Sequence, residues 1–388
     1  MSFLSQRSLN IKPSATLAVA AAALMRKKTG KEVFDLSIGE PDFPMPPYIN
    51  HGIENALKAN KTKYTAVDGI LELKEEICLK FKKDNNLAYN PENIIVSTGG
   101  KQVLFNAFLS TLNPGDEVII PAPFWVSYPE MVTLAQGNPI ICPMEDHFKL
   151  TPEALEKAIT PATKWLILNA PSNPTGIVYS AHELEQFAAI LVKNPHVWIM
   201  SDDIYEHLTY DDIWFKSILN ICPELASRTL IINGFSKAFA MTGLRLGYGA
   251  GPVELIKSMT KIQSQSTSNA SSIVQYAGLT ALKGDMSFLT EWRREYQSRR
   301  DLCLSIFSKS PKLFVQKPQG AFYIFPRLVG VTDDIQFAVG LLEETGVVVV
   351  PGSPFGAPGY FRLSFATSAE ILKEACSRIV QYLENRFV

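Results

Sequence analysis

The sequence predicts an α/β protein in which helices cover both faces of a mostly parallel β-sheet, with a smaller α+β domain beside it. Through the middle of the chain, short apolar runs alternate with longer amphipathic segments. This alternation is typical of strands that are buried on both faces and connected by helices. The length of 388 residues exceeds the size at which one hydrophobic core stops growing, so two domains are expected.

The alternating region can be divided into strands and helices in chain order. The predicted strands are Asn93–Ser97, Glu117–Ile120, Pro139–Cys142, Lys164–Asn169, Val197–Ser201, Thr229–Ile232 and Leu246–Ala250. The predicted helices are Lys101–Leu112, Trp125–Ala135, Pro152–Ile159, His182–Lys193 and one that begins at Val253. Nearer the N-terminus, the alanine-rich run Thr16–Met25 leads into Arg26–Lys28 and Gly30. A basic last turn and a glycine stop favour a helix there over a signal peptide.

The last quarter of the chain has a different pattern. Glu291–Ile306 is a long, charged, amphipathic helix, and a final helix closes the chain. Between them lie three short apolar runs, Ala321–Phe325, Val347–Val350 and Tyr360–Phe365. Mixed helices and short strands of this kind predict the smaller α+β domain.

Composition excludes several classes of protein. The net charge is −1, and no basic run exceeds the three residues Arg26–Lys28, which argues against binding to nucleic acid. No apolar run approaches the ~20 residues that span a membrane. Five cysteines lie far apart, and five histidines lack metal-ligand spacing. Free thiols in a reducing compartment are therefore expected, with no metal site, in a cytoplasmic protein.

The stretch Gly234–Gly247 carries the most specific chemical signal. It places Lys237 and Arg245 among small residues at the end of a predicted buried strand. Burial disfavours the charged form of a lysine, so Lys237 can be a neutral amine that attacks the carbonyl of an aldehyde. Arg245 keeps its charge and offers a fork for a phosphate. The alternative is a buried strand end whose lysine reaches solvent.

This fourteen-residue stretch resembles the lysine signature of the class I/II aminotransferases, pyridoxal-phosphate enzymes of the aspartate aminotransferase fold, known as fold type I. The resemblance implies a large cofactor-binding domain over residues 46–284 and a discontinuous small domain formed by 1–45 and 285–388. It also implies a homodimer with active sites at the subunit interface. There, Tyr64 would reach the cofactor phosphate of the neighbouring subunit.

Two strand ends resemble the parts of that family that hold the cofactor. Gly99 and Gly100, followed by Lys101, lie at a strand-to-helix junction, where backbone amides and the helix dipole favour an anion. They resemble the phosphate loop, to which Ser236 and Arg245 would add contacts. A plain turn is the alternative.

The second strand end carries Ser201–His207. Asp202 resembles the aspartate that pairs with the protonated ring nitrogen, and Tyr205 resembles the tyrosine bonded to the ring oxygen. Asp203 is assigned no role. A solvated turn is the alternative for two adjacent acids.

Other residues resemble the family's substrate contacts. Asn173 lies in Pro171–Gly176 and would reach both the ring oxygen and the substrate, while Trp125 would stack on the ring. Arg362 lies between aromatic residues in a predicted strand, and its planar fork suits the substrate's α-carboxylate. Gly39 resembles a backbone contact on the same side.

These residues predict a ping-pong transaminase in which Lys237 also moves the α-proton of the substrate. Thr16 and Lys101 match a branch of aspartate aminotransferases in which they are associated with the distal carboxylate. We expect aspartate or glutamate as donor and a 2-oxo acid such as 2-oxoglutarate as acceptor. The alternatives are a prephenate or aromatic aminotransferase and a carbon–sulfur β-lyase on the same fold. A transcription regulator would need a DNA-binding domain before residue 1, and a non-catalytic scaffold would not need all these residues.

Overall fold

The computed structural model describes residues 3–13, 15–143 and 146–386. The helices of this part are α1 (Gln6–Asn10), α2 (Ala15–Lys28), α3 (Pro47–Lys58), α4 (Leu71–Asn85), α5 (Gly100–Thr111), α6 (Ser127–Leu134), α7 (Pro152–Ala158), α8 (Ala181–Lys193), α9 (Ile218–Ile221), α10 (Val253–Ser264), α11 (Ser272–Lys283), α12 (Phe288–Phe307), α13 (Asp334–Thr345) and α14 (Ala369–Arg386). The strands are β1 (Phe34–Asp35), β2 (Ile94–Ser97), β3 (Glu117–Pro121), β4 (Asn138–Cys142), β5 (Thr163–Asn169), β6 (Trp198–Asp202), β7 (Thr229–Gly234), β8 (Gly247–Ala250), β9 (Leu313–Phe314), β10 (Tyr323–Ile324), β11 (Arg327–Leu328), β12 (Val347–Val348), β13 (Val350–Pro351) and β14 (Phe361–Ser364).

A seven-stranded sheet forms the centre of the larger region, in the order β2-β8-β7-β6-β5-β3-β4. Only β8 runs antiparallel to its neighbours. Alternate residues of one strand enter different hydrophobic clusters: Val118 and Ile120 pack on one face and Ile119 on the other. Since side chains of a strand alternate between faces, both faces of the sheet are covered. The predicted α/β class is confirmed.

The predicted elements of this region are confirmed, with most ends shifted by one or two residues. The predicted helix Trp125–Ala135 begins only at Ser127, so Trp125 lies in the loop before α6. The N-terminal helix ends at Lys28, and Gly30 follows it with a positive φ of 76°. A glycine adopts this left-handed conformation without the strain that a side chain would add. No helix in the described ranges is long and apolar enough to cross a membrane.

The run Val347–Val350 is not one strand, contrary to the prediction. β12 pairs in parallel with β1, whereas β13 pairs antiparallel with β14. Val347 and Val348 therefore belong to one sheet and Val350 to another, while Val349 lies between the two strands, and all four side chains are buried. Uniform apolar character predicted burial correctly but could not reveal this change of partner.

The segment after β1 connects the short strands to the large sheet. The Leu36 amide donates to the carbonyl of Val348 at 3.0 Å, which continues the pairing of β1 with β12, and the Leu36 carbonyl accepts from the Ser364 amide of β14 at 2.7 Å. Further along, Arg299 of α12 donates to both carboxylate oxygens of Asp42, at 2.9 and 2.8 Å. Residues between these two anchors, Gly39 and Glu40 among them, line a cavity at the edge of the sheet.

Candidate active site

A cavity of about 440 Å³ lies at the carboxyl ends of β5, β6 and β7, where α/β sheets place their ligands. Eleven of the fourteen predicted site residues line it: Gly39, Gly100, Lys101, Trp125, Asn173, Asp202, Tyr205, Ser236, Lys237, Arg245 and Arg362. Gly99 adjoins the cavity through Arg245. Tyr64 lies outside the cavity and is 91% exposed. Thr16 belongs to α2, but its side chain is outside the part of the chain that the structure describes.

Lys237 lies in the turn after β7 and points into the cavity. Its Nζ donates to the carbonyl of Gly39 at 2.5 Å. Burial lowers the pKa of Lys237 to about 8, with further lowering by Arg362 and Arg245 against the opposing charges of Glu40 and Asp202. A substantial fraction of this amine is therefore neutral near pH 8, as a nucleophile or a base requires.

Asp202 ends β6, and its buried carboxylate faces the same cavity. Oδ2 accepts a hydrogen bond from the Tyr128 hydroxyl at 2.6 Å. Burial raises the pKa of Asp202 to about 6, although hydrogen bonds from Tyr128 and the Ile204 amide oppose the rise. A cationic ligand beside the carboxylate would favour the charged form of Asp202.

Two glycines bring the backbone close to the N-terminus of α5. A Cβ on Gly247 would lie 2.3 Å from the amide nitrogen of Gly100, and one on Gly99 would lie 2.5 Å from Arg245 Nη2. Gly99 also has a positive φ of 86°. The guanidinium of Arg245 therefore approaches a helix N-terminus, and the two together form a site for an anion.

Arg362 lies on β14 with only 2% of its surface exposed. Nη1 donates to Oδ1 of Asn173 at 3.0 Å, and Nη2 donates to the carbonyl of Ser37 at 2.6 Å. Its Nε is buried and has no hydrogen-bond partner within the described residues. Arg362 lines the cavity and has no carboxylate partner within the described residues, so its guanidinium is placed to take an anionic group from the cavity.

Lys101 lies at the mouth of the cavity, one residue into α5. Its Nζ is 4.7 Å from the centre of the Trp125 ring. Although Lys101 is exposed as a whole residue, partial burial of its ammonium lowers the pKa of Lys101, and the charge of Arg245 acts in the same direction. A second anionic group entering the mouth would relieve this repulsion between cations.

Sequence reasoning missed Tyr128 and Tyr323, two tyrosines of the cavity wall. Tyr128 follows Trp125 by three residues, and this spacing across one helical turn was the available signal. Tyr323 lies in the apolar run Ala321–Phe325, which predicted only a buried strand. Its hydroxyl oxygen lies 2.8 Å from that of Tyr205. Asn169 was also missed as a site residue, although it ends a predicted strand. It contacts the Asp202 carbonyl and the Asn173 amide, each at 3.0 Å.

The donor set of the cavity fits pyridoxal phosphate. Four cationic side chains line it, and no ion pair between described residues involves any of them: Lys101, Lys237, Arg245 and Arg362. A buried carboxylate, Asp202, lies in the same cavity. A ligand with a phosphate, a second anionic group and a protonated ring nitrogen would match this arrangement. Residues 3–13, 15–143 and 146–386 contain no group of three or more His, Cys, Asp or Glu side chains that could hold a metal ion.

Comparisons with known proteins agree with this geometry. The profile described as aminotransferase class I and II matches residues 31–379. An aspartate/prephenate aminotransferase of Cereibacter sphaeroides is 53% identical, with 98% of each chain covered. Another of that name, from Nitrosomonas europaea, is 46% identical and covers 98% of this chain and 99% of its own. The aspartate aminotransferase from Rhizobium meliloti has a TM-score of 0.96 at 44% identity over 99% of both chains. The aspartate aminotransferase from Thermus thermophilus with maleate has a TM-score of 0.94 at 43% identity, over 98% of this chain and 100% of its own.

Proposed function

The chain belongs to the class I and II aminotransferases, and we propose that it transfers the amino group of aspartate or glutamate to a 2-oxo acid such as 2-oxoglutarate. One observation of the structure carries the proposal. Four cations without an ion-pair partner within the described residues share one cavity with the buried carboxylate of Asp202. This arrangement suits a phosphorylated aldehyde together with an amino acid that carries two carboxylates.

Each residue has a proposed task in holding the cofactor. Lys237 would bond to it through Nζ, while Gly99, Gly100, Lys101, Ser236 and Arg245 would surround its phosphate. Asp202 would keep the ring nitrogen protonated, Tyr205 and Asn173 would donate to the ring oxygen, and Trp125 would cover the ring. When bound, pyridoxal phosphate supplies an electron sink that stabilises negative charge developing at the α-carbon.

Lys237 has a second proposed task. After the incoming amino acid has displaced it, the Lys237 amine would take the proton from the substrate's α-carbon and return it to the carbon of the cofactor's aldehyde group. A pKa near 8 suits both the removal and the return of the proton, because proton transfer is most efficient when the pKa of the group lies near the working pH. The rings of Tyr205 and Phe322 lie beside the amine, with their centres 5.7 and 5.6 Å from Nζ.

Arg362 would hold the α-carboxylate of the substrate, with Asn173 and the backbone of Gly39 beside it. The position of Arg362 in the cavity lining, without a carboxylate partner among the described residues, supports this assignment. Lys101 at the cavity mouth and Thr16 are proposed to select the distal carboxylate. Aspartate and glutamate carry that second carboxylate, whereas alanine does not.

The test begins with the colour and absorbance of the purified protein. We expect a yellow protein whose visible spectrum changes on addition of aspartate, and glutamate formation from aspartate with 2-oxoglutarate. Release of pyruvate and ammonia from a sulfur-containing amino acid, without amino transfer, would instead support the β-lyase alternative. A colourless protein that does not bind added pyridoxal phosphate would contradict the proposal.

Prephenate is a second candidate acceptor. Relatives of this chain carry the name aspartate/prephenate aminotransferase, and prephenate brings an extra carboxylate that could meet Lys101. Amino transfer from aspartate or glutamate to prephenate, measured beside 2-oxoglutarate, tests this activity. If prephenate is not converted at a concentration at which 2-oxoglutarate saturates the enzyme, the proposed function is limited to amino transfer to 2-oxo acids such as 2-oxoglutarate.

The proposal also includes a cytoplasmic homodimer with sites at the subunit interface. The exposed ring of Tyr64 supports a contact with a neighbouring subunit, and the five cysteines are free thiols. The division into residues 46–284 and 1–45 plus 285–388 stays a prediction. Light scattering tests the dimer, and mixing Tyr64→Phe subunits with Lys237→Ala subunits tests whether sites are shared.

A further inference from the structure

We propose that Tyr323 is a positioning residue that makes Tyr205 a one-way hydrogen-bond donor towards the cofactor and connects it to the substrate arginine. This inference rests on the proposed function and adds a residue to it. Tyr323 lines the cavity and is 1% exposed, although the sequence predicted only a strand residue at this position.

The two phenol oxygens of Tyr323 and Tyr205 lie 2.8 Å apart, and either can be the donor. Each hydroxyl carries a single proton. If the Tyr205 proton is directed to the ring oxygen of a bound ligand, the Tyr205 oxygen can only accept from Tyr323. The ligand therefore fixes the direction of the pair, from Tyr323 to Tyr205 to the ring oxygen.

A hydroxyl that accepts a hydrogen bond becomes a better donor, because neighbouring hydrogen bonds polarise one another. Loss of the Tyr323 hydroxyl should therefore weaken the bond that Tyr205 makes to the ligand. The charged groups of the cavity that face the pair are Asp202, Lys237 and Arg362. None of them takes the place of Tyr323, since the hydrogen bonds of their side chains go to other partners.

The same ring contacts the substrate side of the cavity. The guanidinium carbon of Arg362 lies 4.5 Å from the centre of the Tyr323 ring. A Cβ on Gly39 would lie 2.7 Å from the Tyr323 hydroxyl oxygen, so the segment that carries Gly39 packs directly on it. One side chain thus contacts Tyr205, Arg362 and the backbone segment whose carbonyls bond Lys237 and Arg362.

The test compares Tyr323→Phe with Tyr205→Phe and the double variant. In the holoenzyme, the pH midpoint of the visible absorbance should rise by about 0.3 to 0.5 pH unit in Tyr323→Phe. A weaker hydrogen bond leaves more negative charge on the ring oxygen, and this charge raises the pKa of the protonated group next to it. Affinity of the cofactor-free protein for pyridoxal phosphate, followed by tryptophan fluorescence, should fall about threefold. In the Tyr205→Phe background, the added Tyr323→Phe change should move the midpoint no further.

Tyr179→Phe is the matched control. It removes another buried phenol hydroxyl, which accepts from the Leu150 amide at 3.4 Å, and both midpoint and affinity should stay at the wild-type values. An equal shift from Tyr323→Phe in both backgrounds, or no shift in either, would overturn the inference while leaving the proposed function intact. Failure of the wild-type protein to bind pyridoxal phosphate would overturn both.

Discussion

Two groups of charged side chains lie on opposite sides of the turn that follows β6, and they are paired in opposite ways. On the cavity side, Lys237, Arg245 and Arg362 have no carboxylate in an ion pair within the described residues. Their hydrogen bonds go to backbone carbonyls or to the amide oxygen of Asn173.

On the far side, the charges neutralise one another. Glu206 accepts from Lys80 of α4, and also from Asn85 and Asn233, both at 2.6 Å. The Lys80 and Glu206 side chains are 5% and 4% exposed. Burial alone would raise the pKa of Glu206, but the charge of Lys80, then that of His207, and the hydrogen bonds from Lys80 and Asn85 hold it at about 2. We call Lys80, Asn85, Glu206 and Asn233 the rear cluster.

The contrast separates charges that maintain the fold from charges that await a ligand. A buried ion pair whose remaining lone pairs are satisfied needs no outside partner, whereas grouped cations around a cavity repel one another until an anion arrives. Asp202 and Glu206 belong to one turn, so the rear cluster holds the backbone that presents Asp202 to the cavity. Substitutions on the two sides should therefore have different consequences.

Lys237→Ala should give the largest effect. Transamination between aspartate and 2-oxoglutarate should fall by at least about 10⁴-fold, because the variant loses both the nucleophile and the base. Unfolding in urea, measured without cofactor, should be unchanged or shifted to higher urea, since a cation repelled by its neighbours is removed. Turnover near the wild-type rate would remove Lys237 from the mechanism.

Lys80→Met should affect stability where Lys237→Ala affects activity. Removing the cation nearest to the buried Glu206, whose other basic neighbour is His207 at 3.5 Å, should lower the free energy of unfolding by about 3–5 kcal/mol. The double variant Lys80→Met/Glu206→Gln should recover part of the loss, which urea unfolding can measure. A change below about 1 kcal/mol in the single variant would mean that the rear cluster does not maintain the fold.

Arg362→Lys tests whether the planar fork is needed on the cavity side. With the charge kept but the bidentate geometry lost, kcat/KM for aspartate should fall about 10- to 100-fold. Arg327→Lys, a change on the exposed strand residue of β11, is the control and should leave kcat/KM unaltered. Equal activity of wild type and Arg362→Lys would assign the carboxylate to another group.

The pKa of Lys237 should govern the capture of pyridoxal phosphate by the cofactor-free protein. Folding lowers this pKa to about 8, and only the neutral amine reacts. The neutral fraction therefore rises with pH, and the rate constant of capture should increase about tenfold between pH 7 and pH 9. Stopped-flow absorbance measures it. A rate constant still rising steeply between pH 9 and pH 10 would show that burial does not lower this pKa.

Lys101→Ala should give the smallest effect. Because the residue is exposed and solvent screens its charge, the preference for aspartate over alanine should fall only about 3- to 10-fold. The ratio of kcat/KM values for the two donors measures this change. An unchanged ratio would place the recognition of the distal carboxylate elsewhere, with Thr16 as the next residue to substitute.

Prediction from sequence succeeded where a local pattern carries the information. Continuous apolar runs located the strands of the large sheet, and small residues around Lys237 identified a chemically distinctive turn. Tyr128 and Tyr323 were missed because each lies in an ordinary apolar segment. Their hydroxyl partners lie 74 and 118 residues away in the chain, a relation that no local pattern contains. Lys80 was missed for the same reason, with a partner 126 residues distant.

The bond from Arg362 to the carbonyl of Ser37 joins residues 325 positions apart. The substrate end of the cavity therefore cannot assemble during synthesis until a strand near the end of the chain has emerged and packed. Contacts of such long sequence separation form late, after the local elements of a domain. Bound pyridoxal phosphate would then report on completed folding. The yellow absorbance per mole of protein should serve as a quality measure for any preparation or variant.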